Sequence, residues 1–519
     1  MDTKALRQKI LDLAIRGKLV PQDPNDEPAE VLLERIREQK QQMLKEGKLK
    51  KKDIKNDTII FKGEDSLHYE KFQDGTVKCI EDEIPFEVPE GWSWCRLNDI
   101  YNFIDYRGAT PTKITNGIPL VTAKNVKSGY IDYTIDDYIS EEEFKERQQR
   151  GISKKGDILF TTEAPLGNAA LADIEKFSAG QRLITFQQYV PKNELINYVM
   201  LMFILSDFFQ QQLYLNKTGS TVAGIKAAIL KTLWIPVPPY NEQLRISNTL
   251  KSAINLIDSI SQNKEILSTS ISNTKSKILD LAIRGKLVPQ DPNDEPVSEL
   301  LELIRAEKEE LIKQGKIKRD KKESVIFKGD DNSYYEKIGN KVNCIDEEIP
   351  FELPEGWTFI RLKTAWELIS GRDLSPSEYN DKNDGIPYIT GASNFKNGHI
   401  SLVRWTPVPQ VISLKGDLLL TCKGTIGEIA HNNFGEAHIA RQIMAIRNIY
   451  SLNVDFLALC IEYLMTKIKQ AAKGLIPGIS REDILNLVIP IPPTKEQENI
   501  CNKLKATFSA IEHIEKSLN

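Results

Sequence analysis

Residues 9 to 28, KILDLAIRGKLVPQDPNDEP, recur without a change at 277 to 296, and twenty consecutive identities within one chain establish an internal duplication. The echo continues in IIFKG (59 to 63) against VIFKG (325 to 329), and in EDEIPFEVPEGW (81 to 92) against DEEIPFELPEGW (346 to 357). It then fades. GIPLVTAKNVKSGYI (117 to 131) still resembles GIPYITGASNFKNGHI (385 to 400), and KKGDILFTT (154 to 162) resembles LKGDLLLTC (414 to 422), but the residues between them differ in kind and number. Similarity returns where GIKAAILKTLWIPVPPYNEQ (224 to 243) aligns without a gap on GISREDILNLVIPIPPTKEQ (478 to 497).

Each half is thus a constant frame around a divergent middle. The step from position 9 to position 277 is far too long for a solenoid repeat, so the chain reads as two tandem domains. Constant parts present two equivalent surfaces, which fits the docking of two copies of one partner. The divergent middles do two versions of one task. Drift after a recent duplication is the alternative, but drift alone would not spare the frame.

A heptad pattern follows each Pro-Pro pair. In the centre the apolar seam is Ile246, Leu250, Ala253, Ile257, Ile260, Leu267, Ile271, Ile278 and Leu281, with Lys264 and Thr274 as polar exceptions, in alternating steps of four and three. The second copy begins the same way, with Ile500, Leu504, Thr507, Ile511, Ile514 and Leu518, and then the chain stops. Its continuation is matched at the other terminus, where Thr3, Leu6, Ile10 and Leu13 align with Ile271, Thr274, Ile278 and Leu281. The expectation is one long central helix paired with a second helix split between the two termini, antiparallel, on the order of 65 Å at roughly 1.5 Å per residue. On that reading the termini meet. Two amphipathic helices packed separately on their own domains are the alternative.

The globular halves read as mixed α/β. Each opens with a basic helical stretch (PAEVLLERIREQKQQMLKEGKLKKK; VSELLELIRAEKEELIKQGKIKRDKK), followed by a hairpin turning at Asp74-Gly75 or Gly339-Asn340. Short β-branched runs come next, then helices at Asn197 to Leu213 and Val454 to Ala472. The predicted parts are 1–20 as an N-terminal helix completing the split one, 21–240 and 289–494 as two target-recognition domains, 241–288 as the central helix and 495–519 as the C-terminal helix.

The divergent middles carry polar loops of the kind that base-edge reading needs, since their donors and acceptors match those of the major groove. In the first half the candidates are Arg107, Thr110, Lys113, Lys124, Asn125, Lys127, Gln181, Arg182, Lys217, Ser220 and Thr221. In the second they are Arg372, Ser375, Asn394, Lys396, Asn397, His399, Lys423, Thr425, Arg441 and Gln442. Two lysine clusters could add phosphate contacts, or be solvated helix ends: Lys48, Lys50, Lys51 and Lys52, and Lys316, Lys318, Arg319, Lys321 and Lys322.

Motifs for catalysis fail. Val237-Pro238-Pro239-Tyr240 has Val where an amino-methyltransferase carries Asp or Asn, and GSTVAGIK (219 to 226) inserts Ile225 before the lysine of a phosphate loop. The five histidines and six cysteines have no metal-ligand spacing, which predicts no metal site and fits a reducing cytoplasm. With 40% hydrophobic and 27% charged residues the chain is globular. No run of about 18 apolar residues suggests a membrane span. A formal charge of −4 is not what non-specific coating of DNA requires, but it leaves room for a local basic face.

The set LDLAIRGKLVPQDPNDEP, EIPFEVPEGW, GIPYITGASN, KGTIGEIA and IPIPPTKEQENI resembles the specificity subunits of type I DNA restriction-modification systems over essentially the whole length. The resemblance implies a non-catalytic subunit with two target-recognition domains reading a bipartite, asymmetric site on double-stranded DNA. It also implies two methyltransferase subunits using S-adenosylmethionine and two translocating nuclease subunits using ATP and Mg as partners, with no cofactor in this chain. A fused restriction-methylation enzyme and a coiled-coil adaptor that binds only protein are the rival readings. The resemblance does not transfer base-contacting residues, because recognition loops vary within the family.

Overall fold

The structure, a computed structural model, describes residues 2–518 apart from 107–109, 135–136, 191–193, 220–222, 316, 318, 320–322, 397, 451 and 472–477, and without the side chains of 150, 466–471 and 518. It divides into two units, Met1–Lys264 and Glu265–Asn519, each built from helices and strands as the sequence predicts.

In the first unit the helix Ala29–Lys45 leads to a three-stranded antiparallel sheet of Ile59–Lys62, His68–Lys71 and Val77–Cys79. Its last turn is the predicted one. Asp74 accepts hydrogen bonds from the Thr76 amide and hydroxyl. Gly75 takes φ 88°, a conformation that favours a residue without Cβ. The constant segments then pair across the duplicated frame, Ser93–Arg96 with Trp234–Val237. Arg96 locks the hairpin to this pair through Glu70, at 3.0 Å, and lies 3.4 Å over the Trp234 ring.

A four-stranded sheet forms the heart of the unit, in the order Tyr101–Asp105, Leu183–Gln188, Ile158–Thr161, Ala169–Leu171. GDILFTT is apolar on consecutive positions because both faces of its strand are covered. Ile158, Phe160, Ile184 and Phe186 pack with the buried helix Asn197–Ile204, while Leu159, Leu183 and Ile104 pack under a second, smaller sheet of Ser178–Ala179, Ile118–Val121 and Tyr138–Ile139. The helix predicted over 197 to 213 is two. Asn197–Ile204 ends before Ser206, whose hydroxyl accepts from the Phe209 amide and caps Asp207–Leu215.

The second unit repeats this plan. Its hairpin sheet is Ser324–Lys328, Tyr334–Ile338 and Lys341–Cys344, its frame pair Thr358–Arg361 with Val488–Ile491, and its central sheet Trp366–Ser370, Ile443–Asn448, Leu418–Thr421, Ile429–His431. Arg361 binds Glu336 at 2.7 Å, as Arg96 binds Glu70. The smaller sheet runs Trp405–Thr406, Ile386–Ile389, Ala437–Ile439, Ile412–Ser413, and the helix Val454–Ala471 covers the other face.

Each Pro-Pro pair marks the passage from frame strand to long helix, Tyr240–Ile283 after Pro239 and Thr494–Leu518 after Pro493. The two starts are anchored alike. Gln243 donates to Pro238 O and Gln497 to Pro492 O, both at 2.9 Å, and buried Glu242 and Glu496 accept the indole N–H of Trp92 and Trp357, again at 2.9 Å.

Within the first unit, Arg7 of helix Thr3–Ile15 bonds Asp258 of Tyr240–Ile283, and Gln22, beyond that helix, bonds Glu242. Within the second, Lys275 meets Glu515 at 2.8 Å and Lys495 stands 3.7 Å from Asp294. The buried positions depart from a strict heptad. Ile246, Leu250, Ile500 and Leu504 are core residues of their own units. Ile254, outside the predicted seam, is buried as Ile257 is. Helix Thr3–Ile15 buries Leu11, Ala14 and Ile15, while the predicted Leu6, Ile10 and Leu13 are half-buried. Ile271 is buried and Ile260, Ile278, Leu281 and Ile511 half-buried, but Leu267 and Ile514 are exposed, so the seam expectation is corrected at those two. The side chain of Leu518 lies outside the described residues. No helix among the described residues is long and apolar enough to cross a membrane.

Candidate nucleic-acid interface

The polar loops of the first unit meet because three strand ends do. Ile158–Thr161 runs out into Thr162-Glu163, Gln181-Arg182 leads into Leu183–Gln188, and Ile118–Val121 leads into the Thr122 to Val126 turn. Backbone hydrogen bonds fasten these ends together: Thr162 N to Arg182 O at 2.9 Å, Ile225 N to Thr162 O at 3.0 Å, Gly180 N to Val121 O at 2.7 Å. The result is a concavity of about 230 Å³ lined by Thr110, Lys113, Lys124, Gln181 and Arg182, all predicted. A second, of about 430 Å³, is lined by Glu163, Gln181, Arg182, Thr218 and Lys226.

The charges here are partly balanced. Lys113 pairs with Asp137 at 2.7 Å, Arg182 with Glu163 at 3.0 Å, and Lys127 stands 4.0 Å from Asp132. Lys124 and Lys217 are exposed, the latter 5.5 Å from the Tyr214 ring centroid. Gln181 donates to the Thr110 hydroxyl. Arg182 sits at φ 66°. That is the left-handed region, which residues with a Cβ rarely occupy.

The second unit has the same fastening with different side chains. Cys422 N donates to Gln442 O at 2.8 Å and Ile479 N to Cys422 O at 2.9 Å, so 422 and 442 stand where 162 and 182 stand. Lys423 therefore replaces Glu163, Arg441 replaces Gln181 and Gln442 replaces Arg182. Arg441 is held by Asp373 at 2.7 Å, in the loop that begins with Arg372. Buried His438 fixes that loop: its Nε2–H donates to Arg372 O at 2.8 Å while Nδ1 accepts from the amides of Gln410 and Val411, and burial lowers its pKa. Lys396 and His399 face one another across a short strand pair and are exposed, as are Arg372, Lys423 and Thr425.

Two predicted readers are misplaced. Asn125 and Asn394 are only 2% and 1% exposed, and their side chains are spent on their own turns. Asn125 Oδ1 accepts from Thr122 N and Oγ1 at 2.9 and 2.8 Å and Nδ2 donates to Asp132 O; Asn394 repeats this with Thr390 and Ser401. They are Asx-type staples that shape the loop. The Ser375 hydroxyl likewise donates to Glu378 at 2.6 Å in a local cap. Arg107, Ser220, Thr221 and Asn397 lie outside the described residues.

Among the described residues of the first unit, Lys48, Lys50, Lys51 and Lys52 line neither concavity. Lys50, Lys51 and Lys52 are exposed, Lys48 pairs with Glu46 at 2.7 Å, Arg319 pairs with Glu309, and Lys316, Lys318, Lys321 and Lys322 lie outside the described residues. The sequence reading missed Glu163, Lys226 and Asp373; the alignment of Glu163 on Lys423, a charge reversal inside a matched loop, was the available signal. Away from the loops, His68, Glu81 and Glu87 bring ligand-type atoms within 4.8 Å of one another, but His68 Nδ1 is already on Glu81 at 2.8 Å and Lys62 stands 3.8 Å from Glu87.

Comparison with known proteins supplies a context for this geometry. The family model described as the type I restriction modification DNA specificity domain matches residues 89–268 and 354–519. The chain is 28% identical to the type I restriction enzyme EcoAI specificity subunit of Escherichia coli over 97% of its own length and 90% of that protein's. It is 27% identical to the EcoEI specificity subunit of the same species, over 99% and 90%. A solved chain described under the structural basis of complex assembly and conformational transition of the type I R-M system matches its fold with a TM-score of 0.57 at 20% identity, over 84% of this chain and 94% of that one.

Proposed function

Because the chain belongs to the type I restriction-modification DNA specificity family, we propose that its two units each read one part of a bipartite, asymmetric site on duplex DNA. The observation that carries this reading is one loop frame bearing two chemistries: Glu163, Gln181 and Arg182 in the first unit stand where Lys423, Arg441 and Gln442 stand in the second. Glutamine, arginine and carboxylate side chains are the groups that discriminate base edges in the major groove. Unlike readers on a like frame address unlike half-sites; a palindrome would need a single reader used twice.

In this reading the central helix pairs with a second helix assembled from the C-terminal and N-terminal segments, and the rod sets the distance between half-sites, about one helical turn or roughly 34 Å. The duplicated frame docks two methyltransferase subunits, which would modify adenines with S-adenosylmethionine, and two translocating nuclease subunits, which would use ATP and Mg. The chain itself supplies the reading and none of that chemistry.

Exchange of residues 93 to 235 for the corresponding segment of another family member tests the division of labour. Methylome sequencing of a host carrying the hybrid with its partners is expected to show one half-site altered and the other retained. Alteration of both would refute independent reading, and methyl transfer by the purified chain alone would refute the non-catalytic assignment.

A further inference from the structure

In each unit one loop arginine stands with its inner nitrogen against a carboxylate. Arg182 Nε lies 3.0 Å from Glu163 Oε1, and Arg441 Nε lies 2.7 Å from Asp373 Oδ2; the two arginine side chains are 56% and 67% exposed. In each pair the shortest approach is to the inner nitrogen, and the exposed guanidinium can present its two terminal amino groups as an end-on fork. That fork matches guanine, which offers O6 and N7 side by side in the major groove. A phosphate is a poor match here, because a carboxylate in contact with the guanidinium repels the phosphate it would have to hold. A base edge is neutral and meets no such repulsion.

The two arginines are not at equivalent positions. The backbone bonds Thr162 N to Arg182 O and Cys422 N to Gln442 O align Arg182 on Gln442, so the dipeptide is Gln-Arg in one unit and Arg-Gln in the other. With that one-residue step the gripping carboxylate moves from the loop after Ile158–Thr161 to the loop after Trp366–Ser370. The left-handed backbone at Arg182 belongs to the first unit alone, since Gln442 does not share it. Sparsely populated backbone of this kind persists where the surroundings enforce it and clusters at binding sites.

We infer that Arg182 and Arg441 each read a guanine, at non-equivalent places in the two half-sites, with Glu163 and Asp373 as positioning residues. The inference rests on the reading of the units as DNA-recognition modules. It is tested by selecting bound duplexes from a randomised pool with the chain in complex with its partner subunits, as wild type and as Arg182→Lys, Arg441→Lys, Glu163→Gln and Asp373→Asn.

The lysine variants keep the charge and lose the fork. Arg182→Lys is expected to relax one guanine in one half-site by about ten- to a hundredfold while the salt dependence of binding stays unchanged; Arg441→Lys does the same in the other half-site. Glu163→Gln and Asp373→Asn weaken the same guanine preferences to a lesser degree. The untouched half-site serves in each case as the control for folding. A loss of affinity spread evenly over all sequences with a shallower salt slope would make the arginines phosphate contacts and overturn the inference, as would guanine preferences that survive both lysine variants. A wild-type complex that selects no sequence at all would instead overturn the underlying DNA-recognition reading.

Discussion

At the scale of single residues, the units also differ where side chains are buried beside the loops. His438 has Ser178 as its counterpart by strand pairing, since each lies beside the matched strands Ile386–Ile389 and Ile118–Val121. Burial lowers the His438 pKa, so the stability this residue contributes is full above the ordinary histidine value and is lost as pH falls through the lower folded value. Protonated Nδ1 cannot accept from Gln410 and Val411, and the same ring holds the Arg372 loop that carries Asp373. Protection factors against hydrogen exchange at residues 410 and 411, taken relative to the intrinsic rate at each pH, are therefore expected to fall between pH 7.5 and 5, with no matching change in the first unit; equal protection at both pH values would remove His438 as a support. Residues were the least legible scale in the sequence. A loop asparagine reads the same whether it faces DNA or staples its own turn, and only burial separates Asn125 and Asn394 from the exposed Lys124 and Lys396. The carboxylates that hold Arg182 and Arg441 come from different loops, and sequence spacing does not encode that difference.

Elements were legible wherever a local rule governs them. The Asp-Gly hairpin, the doubly buried strand GDILFTT and the Pro-Pro junctions all follow from turn chemistry and periodicity. The break at Ser206 was missed because the apolar run continues through it, and a hydroxyl cap competes with periodicity for the end of a helix. The anchored starts of the long helices make their own prediction. Burial raises the pKa of Glu242, with the Trp92 indole as the main opposing influence, so any stability that protonation adds is lost as pH rises through the raised value. Trp92→Phe removes that donor and is expected to lower stability by about 1.5 to 3 kcal/mol, the range for a hydrogen bond to a charged group, measured as a shift in denaturant midpoint. Glu242→Gln keeps an acceptor for the indole without the buried charge, and at pH 7.5 its midpoint should equal or exceed the wild-type value.

At the scale of the whole molecule, the duplication was fully visible because twenty identities need no structural interpretation, whereas the heptad reading blended two kinds of burial. Ile246 and Leu250 are apolar for the sake of their own unit's core, and only the positions beyond them are available to pair helices. Insertion of one heptad in the central helix and in its proposed split counterpart adds roughly 10 Å of rise, close to three base pairs of duplex. The expected result, read from the methylome, is a longer non-specific spacer between unchanged half-sites; a changed half-site would show that the helices do more than set distance.

The fastening of the loops has a further consequence. Because Thr162 is tied to Arg182, and Cys422 to Gln442, through backbone amide and carbonyl groups, the side chains beside them, Glu163 and Gln181 in one unit and Lys423 and Arg441 in the other, can differ while those bonds are kept. A change in what the loops recognise can then be confined to such outward-facing positions, with the bonded scaffold left in place.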